Sequence, residues 1–168
     1  NGGDTTATAR LYMFGGTAGT GAGMSDLWSY ANAGTTGATW IFIPGGNSAP
    51  GPRRSLGWSC GGGQCVAVNG TTGTSAPKET WVFSESTQTW SQVACNIRRV
   101  LCPSERFAPT MAYDSSHGVH VLFGGYDWNQ ATTLADTFVF NAATKTWRQI
   151  SGGATPPARD TAAAEFVP

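Results

Sequence analysis

Short apolar runs separated by glycine, proline and small polar residues pattern this chain from end to end. Val121-Leu122-Phe123, Thr137-Phe138-Val139-Phe140 and Thr146-Trp147-Arg148-Gln149-Ile150 alternate faces and are rich in β-branched and aromatic residues. That is the signature of half-buried strands. Breakers fall between them: Gly124-Gly125, Asn141-Ala142-Ala143-Thr144, Ser115-Ser116-His117-Gly118 and Pro156-Pro157. No stretch sustains apolar spacing at three and four residues, so almost no helix is expected.

The pattern is written three times. An apolar run ending in a glycine turn occurs as Leu11-Tyr12-Met13-Phe14-Gly15-Gly16 and as Val121-Leu122-Phe123-Gly124-Gly125, with Val66-Ala67-Val68-Asn69-Gly70 as the middle copy. An acid and an aromatic two residues later follow each run: Asp26/Trp28, Glu79/Trp81 and Asp136/Phe138. A Thr-Trp pair comes next, at Thr39-Trp40, Thr89-Trp90 and Thr146-Trp147, then a Pro-rich turn with an arginine: Arg54, Arg106, Arg159. The last glycines step by 54 and 55 residues and these arginines by 52 and 53. A period near fifty carried by short strands predicts repeated sheets, packed radially or stacked.

The repeat resembles the kelch motif over nearly the whole chain, most closely from Ala135 to Arg159. Trp28, Trp81 and Phe138 stand where that family has tyrosine, and Asn69 stands for the first glycine of the middle doublet. The resemblance implies an all-β kelch-like β-propeller segment of three four-stranded antiparallel blades, within a superfamily that includes galactose-oxidase-like enzymes. The repeats run about 1–53, 54–105 and 106–158, with 159–168 as the first strand of a further blade. In each blade strand b ends at the glycines, c holds the acid and aromatic, d the Thr-Trp, and a comes after the arginine. The chain opens just before a strand b and closes on Ala162-Ala163-Ala164-Glu165-Phe166, read as a strand a. The three blades are therefore circularly offset. Kelch rings usually have six or seven blades, and three would leave bare edges. Closure is expected in one of two ways: a homodimer that completes the ring, or a longer parent chain. In either, the strand from Asp160 to Val167 pairs with a segment like Arg10 to Phe14.

Composition narrows the class. Ten basic and ten acidic residues cancel, which leaves no electrostatic footprint for nucleic acid. Only 12% of residues are charged, and no apolar run is long enough to form a membrane-spanning helix. Neither an initiator Met nor a hydrophobic leader is present, so a processed, excised or partial product is expected. The four cysteines form two local pairs, Cys60/Cys65 and Cys95/Cys102, each bracketing a turn. Their spacings differ from the two-residue gap of zinc knuckles, so disulfides and an extracellular location are expected. Asn69-Gly70-Thr71 is a glycosylation acceptor triplet.

Residues that recur in every copy are read as scaffold: the arginines and acids as ion pairs or turn contacts between blades, the tryptophans as core. Specific function is sought in what does not recur. On the b–c and d–a loop face, which commonly binds partners in kelch propellers, stand Tyr126, Asp127, Trp128 and Asn129, with Arg98, Arg99 and Asn47. An aromatic cluster beside Asp and Asn suits contact with a protein, peptide or glycan ligand; its bland alternative is a solvated loop whose Trp128 covers a neighbouring blade. His117 and His120 are the only histidines, one on a turn tip and one on a strand. The expected function is an extracellular structural or ligand-binding propeller module, with no cofactor and no catalysis of its own. The alternatives are a carbohydrate-binding propeller and a fragment of a copper oxidase-like enzyme.

Overall fold

The computed structural model describes residues 10–19, 21–95 and 101–168. All regular structure in them is β, apart from one 3-10 turn, Gly46–Ser48. The first repeat contributes β1 (Leu11–Phe14), β2 (Leu27–Ala31) and β3 (Thr39–Ile43), a three-stranded antiparallel sheet. The second contributes β4 (Gly57–Gly61), β5 (Gln64–Val68), β6 (Thr80–Ser84) and β7 (Thr89–Val93), a four-stranded meander. The third runs β8 (Arg106–Phe107), β9 (Thr110–Asp114), β10 (Val119–Phe123), β11 (Tyr126–Asp127), β12 (Thr132–Thr133), β13 (Thr137–Asn141) and β14 (Thr146–Ile150). Strands β9, β10, β13 and β14 form its four-stranded sheet, while the short β8, β11 and β12 make a separate three-stranded one. Among the described residues, two of the three expected blades are thus four-stranded and the first has three strands. The loops add a fourth, smaller sheet.

Registers are the same in the three large sheets. Trp40, Trp90 and Trp147 lie opposite Tyr30, Phe83 and Phe140, one residue into the last strand of each sheet. The stacking of the sheets creates two cores. One joins Tyr12, Phe14, Leu27 and Ile43 of the first sheet to Phe83 and Trp90 of the second. The other joins Val66, Val68, Val82 and Val93 of the second to Leu122, Phe138, Phe140 and Trp147 of the third. Each twisted sheet buries one face on its neighbour because a lone sheet leaves apolar surface in water.

The glycine doublets bend the chain where sheets meet. Gly15 and Gly124 have φ of 70° and 64°, and Asn69 takes the same left-handed conformation at 51°. A Cβ on Gly15 would come within 2.7 Å of the Arg53 carbonyl oxygen, so backbone approach as well as φ selects glycine there.

The repeating arginine is Arg53 rather than Arg54. Arg53, Arg106 and Arg159 each accept, at the backbone carbonyl, a bond from the second doublet glycine of the preceding sheet: Gly16 at 3.0 Å, Gly70 at 3.1 Å and Gly125 at 2.9 Å. Each Nε donates to the carbonyl two residues back. Arg54 instead points outward and donates to the Gly21 carbonyl. With Arg53 in place, both arginine steps are 53 residues. A second difference concerns residues 162–166, expected as strand a. They form no strand, because a strand exists only through a ladder partner and none is beside them among the described residues.

Candidate functional site

Two acid–arginine pairs form, each within a sheet rather than between sheets. Arg53, just before β4, donates to Glu79, just before β6, at 2.9 Å. Arg106 meets Asp136 through both terminal nitrogens, at 2.6 and 2.8 Å, and is fully buried. Remaining donors go to carbonyls: Arg53 Nη1 to Asn69, Arg106 Nη1 to Gly124. Both guanidiniums are buried and bonded to groups of the fold, so these two pairs are scaffold rather than parts of a charged binding ring.

The loop cluster is partly scaffold too. β11 and β12 form a small hairpin that pairs with β8. Asp127 is buried, and its Oδ1 accepts the backbone N–H groups of Asn129 and Gln130 at 2.9 Å each. That carboxylate closes its own turn and is not offered to a ligand. Tyr126 is half-buried against Phe107, ring centroids 5.2 Å apart. Trp128 is different. It stands edge-on to Phe107 at 5.8 Å, its backbone N–H bonded to the Glu105 carbonyl, and 41% of its surface is open. Asn129 Nδ2 beside it donates to the Glu105 carboxylate at 2.6 Å. The hairpin therefore holds a large ring outward on a rigid aromatic support, flanked by an amide and a carboxylate.

Other candidates fall elsewhere. Asn47 lies in the turn Gly46–Ser48, which adjoins β7 of the second sheet rather than the β11–β12 hairpin. Arg98 and Arg99 lie outside the described residues. Cys60 bonds Cys65 across the β4–β5 hairpin, where they are direct cross-strand partners, and Cys95 bonds Cys102 between the second and third repeats. Asn69 serves the fold: it is 1% exposed, Nδ2 donates to the Ser104 carbonyl at 2.6 Å, and Oδ1 accepts the Glu79 N–H. Both polar atoms of the amide to which a glycan would attach are thus bonded within the fold.

The histidines have separate partners. His117 is exposed and pairs with Asp114 at 2.7 Å. His120 is buried, with Nδ1 at 2.7 Å from the Ser59 hydroxyl and its ring between Tyr113 and Phe140. Burial lowers its pKa to about 4, so the ring is neutral at ordinary pH. Ser59 is also buried, which closes this pair to a substrate.

The sequence did not point to a cleft where the inner strands converge. Arg10, Tyr12, Trp58, Tyr113, Glu165 and Phe166 line about 460 Å³ there. Trp58 Nε1 donates to the Tyr12 carbonyl at 3.1 Å. Burial, and then the Glu85 carboxylate, push the Tyr12 phenol pKa up. The one signal for it was that Trp58 and Tyr113 sit on first strands without repeating from copy to copy.

No protein-family model and no curated protein sequence matches the chain.

Proposed function

We propose that the chain is a segment of a kelch-like β-propeller that works as an extracellular binding module, with no catalytic step of its own. Three sheets with one register, stacked face to face through the same arginine and glycine bonds, support the propeller reading. Two disulfides support an extracellular setting, since such bonds persist under oxidising conditions. No helix among the described residues is long and apolar enough to cross a membrane.

The observation that carries the binding role is Trp128. A large ring that is supported from beneath and open above loses little entropy on contact, which is how aromatic anchors act in interfaces. The ligand is a protein or a glycan. The glycan reading draws on the Asn129–Glu105 pair, polar groups beside a ring that a sugar face can stack on.

The test is a titration of the chain with a panel of soluble oligosaccharides and peptides, monitored by tryptophan fluorescence. A ligand that binds should lose about tenfold or more in affinity with Trp128→Ala. Binding unchanged by that substitution would move the site away from the hairpin.

A further inference from the structure

Each large sheet has a leading face and a trailing face, and the two internal contacts show how they fit. Where the third sheet meets the second, the leading face of Leu122, Phe138, Phe140 and Trp147 rests on the trailing face of Val66, Val68, Val82 and Val93. Trp147 Nε1 donates across this contact to Thr80 Oγ1 at 3.0 Å. The first sheet turns its trailing face, with Tyr12 and Phe14, to Phe83 and Trp90. Two faces are left over among the described residues.

The leading face of the first sheet carries Leu11, Met13, Trp28, Tyr30, Trp40 and Phe42. Its Leu11, Trp40 and Phe42 are 60%, 44% and 52% exposed, whereas Trp90 and Trp147 are buried at the position of Trp40. The trailing face of the third sheet carries Val121, Phe123, Val139 and Ile150, half-buried, in the register positions of Val66, Val68, Val82 and Val93. Thr137 occupies the register position of Thr80. The contact of the third sheet on the second pairs an aromatic leading face with a valine-rich trailing face; the first sheet's leading face and the third sheet's largely apolar trailing face, which also carries Arg148, have no such partner among the described residues.

The charges divide in the same way. Asp26 accepts Trp28 Nε1 at 2.6 Å, as Glu79 accepts Trp81 Nε1 at 2.8 Å, yet Asp26 has no arginine among the described residues. Arg159 has the converse lack. It is set against the third sheet as Arg53 and Arg106 are set against theirs, and Thr161 N–H bonds the Ala108 carbonyl as Ala108 N–H bonds that of Ser55. Thr161, Ala108 and Ser55 share one backbone conformation, φ 54°, 52° and 51°. Arg159 and the residues after it are thus placed as the entry to a first strand, with no carboxylate bonded to the guanidinium among the described residues.

We propose that a second copy of this chain covers both faces. Arg159 of each copy pairs with the partner subunit's Asp26, and residues 162–166 add to the partner's β1 as the fourth strand that the described residues do not give that sheet. The repeat register sets Ala163 opposite the partner's Phe14 and Phe166 opposite the partner's Leu11. Trp40 lies on the partner's Val139 and donates to the partner's Thr137. Both halves of the contact are carried on one chain, so two copies supply each other's Asp26, Arg159 and β1 edge with a partner. This inference is independent of what Trp128 binds.

Sedimentation of the chain should give a particle of twice 17.5 kDa. A monomer, or an open series of larger particles, overturns the proposal. Asp26→Arg alone and Arg159→Asp alone each put like charges at both contacts. Each should raise the dissociation constant at least about 100-fold while far-UV circular dichroism stays unchanged. An equal mixture of the two variants restores opposite charges at both contacts and should recover the dimer. A mixture that stays monomeric overturns the pairing even if either variant folds poorly alone.

Discussion

Trp147 and Thr80 share a buried hydrogen bond across two sheets, while Trp90, at the same position one repeat earlier, has no acceptor for its indole N–H. The position of Thr80 is held in the first sheet by Leu27, which has no oxygen to offer. Thr80→Val should therefore recreate at Trp147 the unpaired state already present at Trp90. The expected cost is about 1–3 kcal/mol of stability, read from urea unfolding. A neutral result would mean that the bond is not formed in solution.

The Arg106–Asp136 pair should behave as a buried unit. Asp136→Ala leaves a buried guanidinium without its carboxylate and should cost about 3 kcal/mol. Arg106→Met together with Asp136→Ala should cost less than Asp136→Ala alone, because no charge is then stranded. Chemical denaturation of the three variants decides it, and a double variant worse than the single one counts against the assignment.

His120 makes stability depend on pH. Its pKa in the fold is about 4, against 6.5 for the exposed ring. Below about pH 6.5 the unfolded chain takes up a proton that the folded chain refuses until about pH 4. Its contribution is therefore complete above about pH 6.5 and is lost as pH falls toward 4, by about 3 kcal/mol in all. His120→Gln should flatten the unfolding free energy across this window. A slope unchanged by the substitution would assign the effect to other groups.

Asn69→Gly should destabilise the chain by about 1–2 kcal/mol, although the other two repeats have glycine there. Glycine relieves the left-handed backbone but removes the bonds to Ser104 and Glu79. Thermal melting compares the two directly; a stabilised variant would mean that backbone strain outweighs the amide bonds.

Strand and turn positions were legible along the chain because alternation and breaking are local properties. Val121 to Phe123 and Thr137 to Phe140 carry their faces in their own side chains, and doublets such as Gly124-Gly125 mark their turns without reference to anything distant. The repeat was legible for the same reason: one local pattern is written three times.

Tertiary structure decided every choice that depends on a neighbour. Arg53 and Arg54 are adjacent and identical in kind; only the Gly16 N–H and the Glu79 carboxylate, far along the chain, select the first. Asn69 looks like a surface acceptor until the Ser104 carbonyl and Glu79 N–H claim its amide. Trp40, Trp90 and Trp147 have the same local pattern, yet two are buried and one is half-open, because burial requires an adjoining sheet. Residues 162–166 have strand composition and form no strand, because pairing is a property of two segments and the sequence of one cannot supply the other.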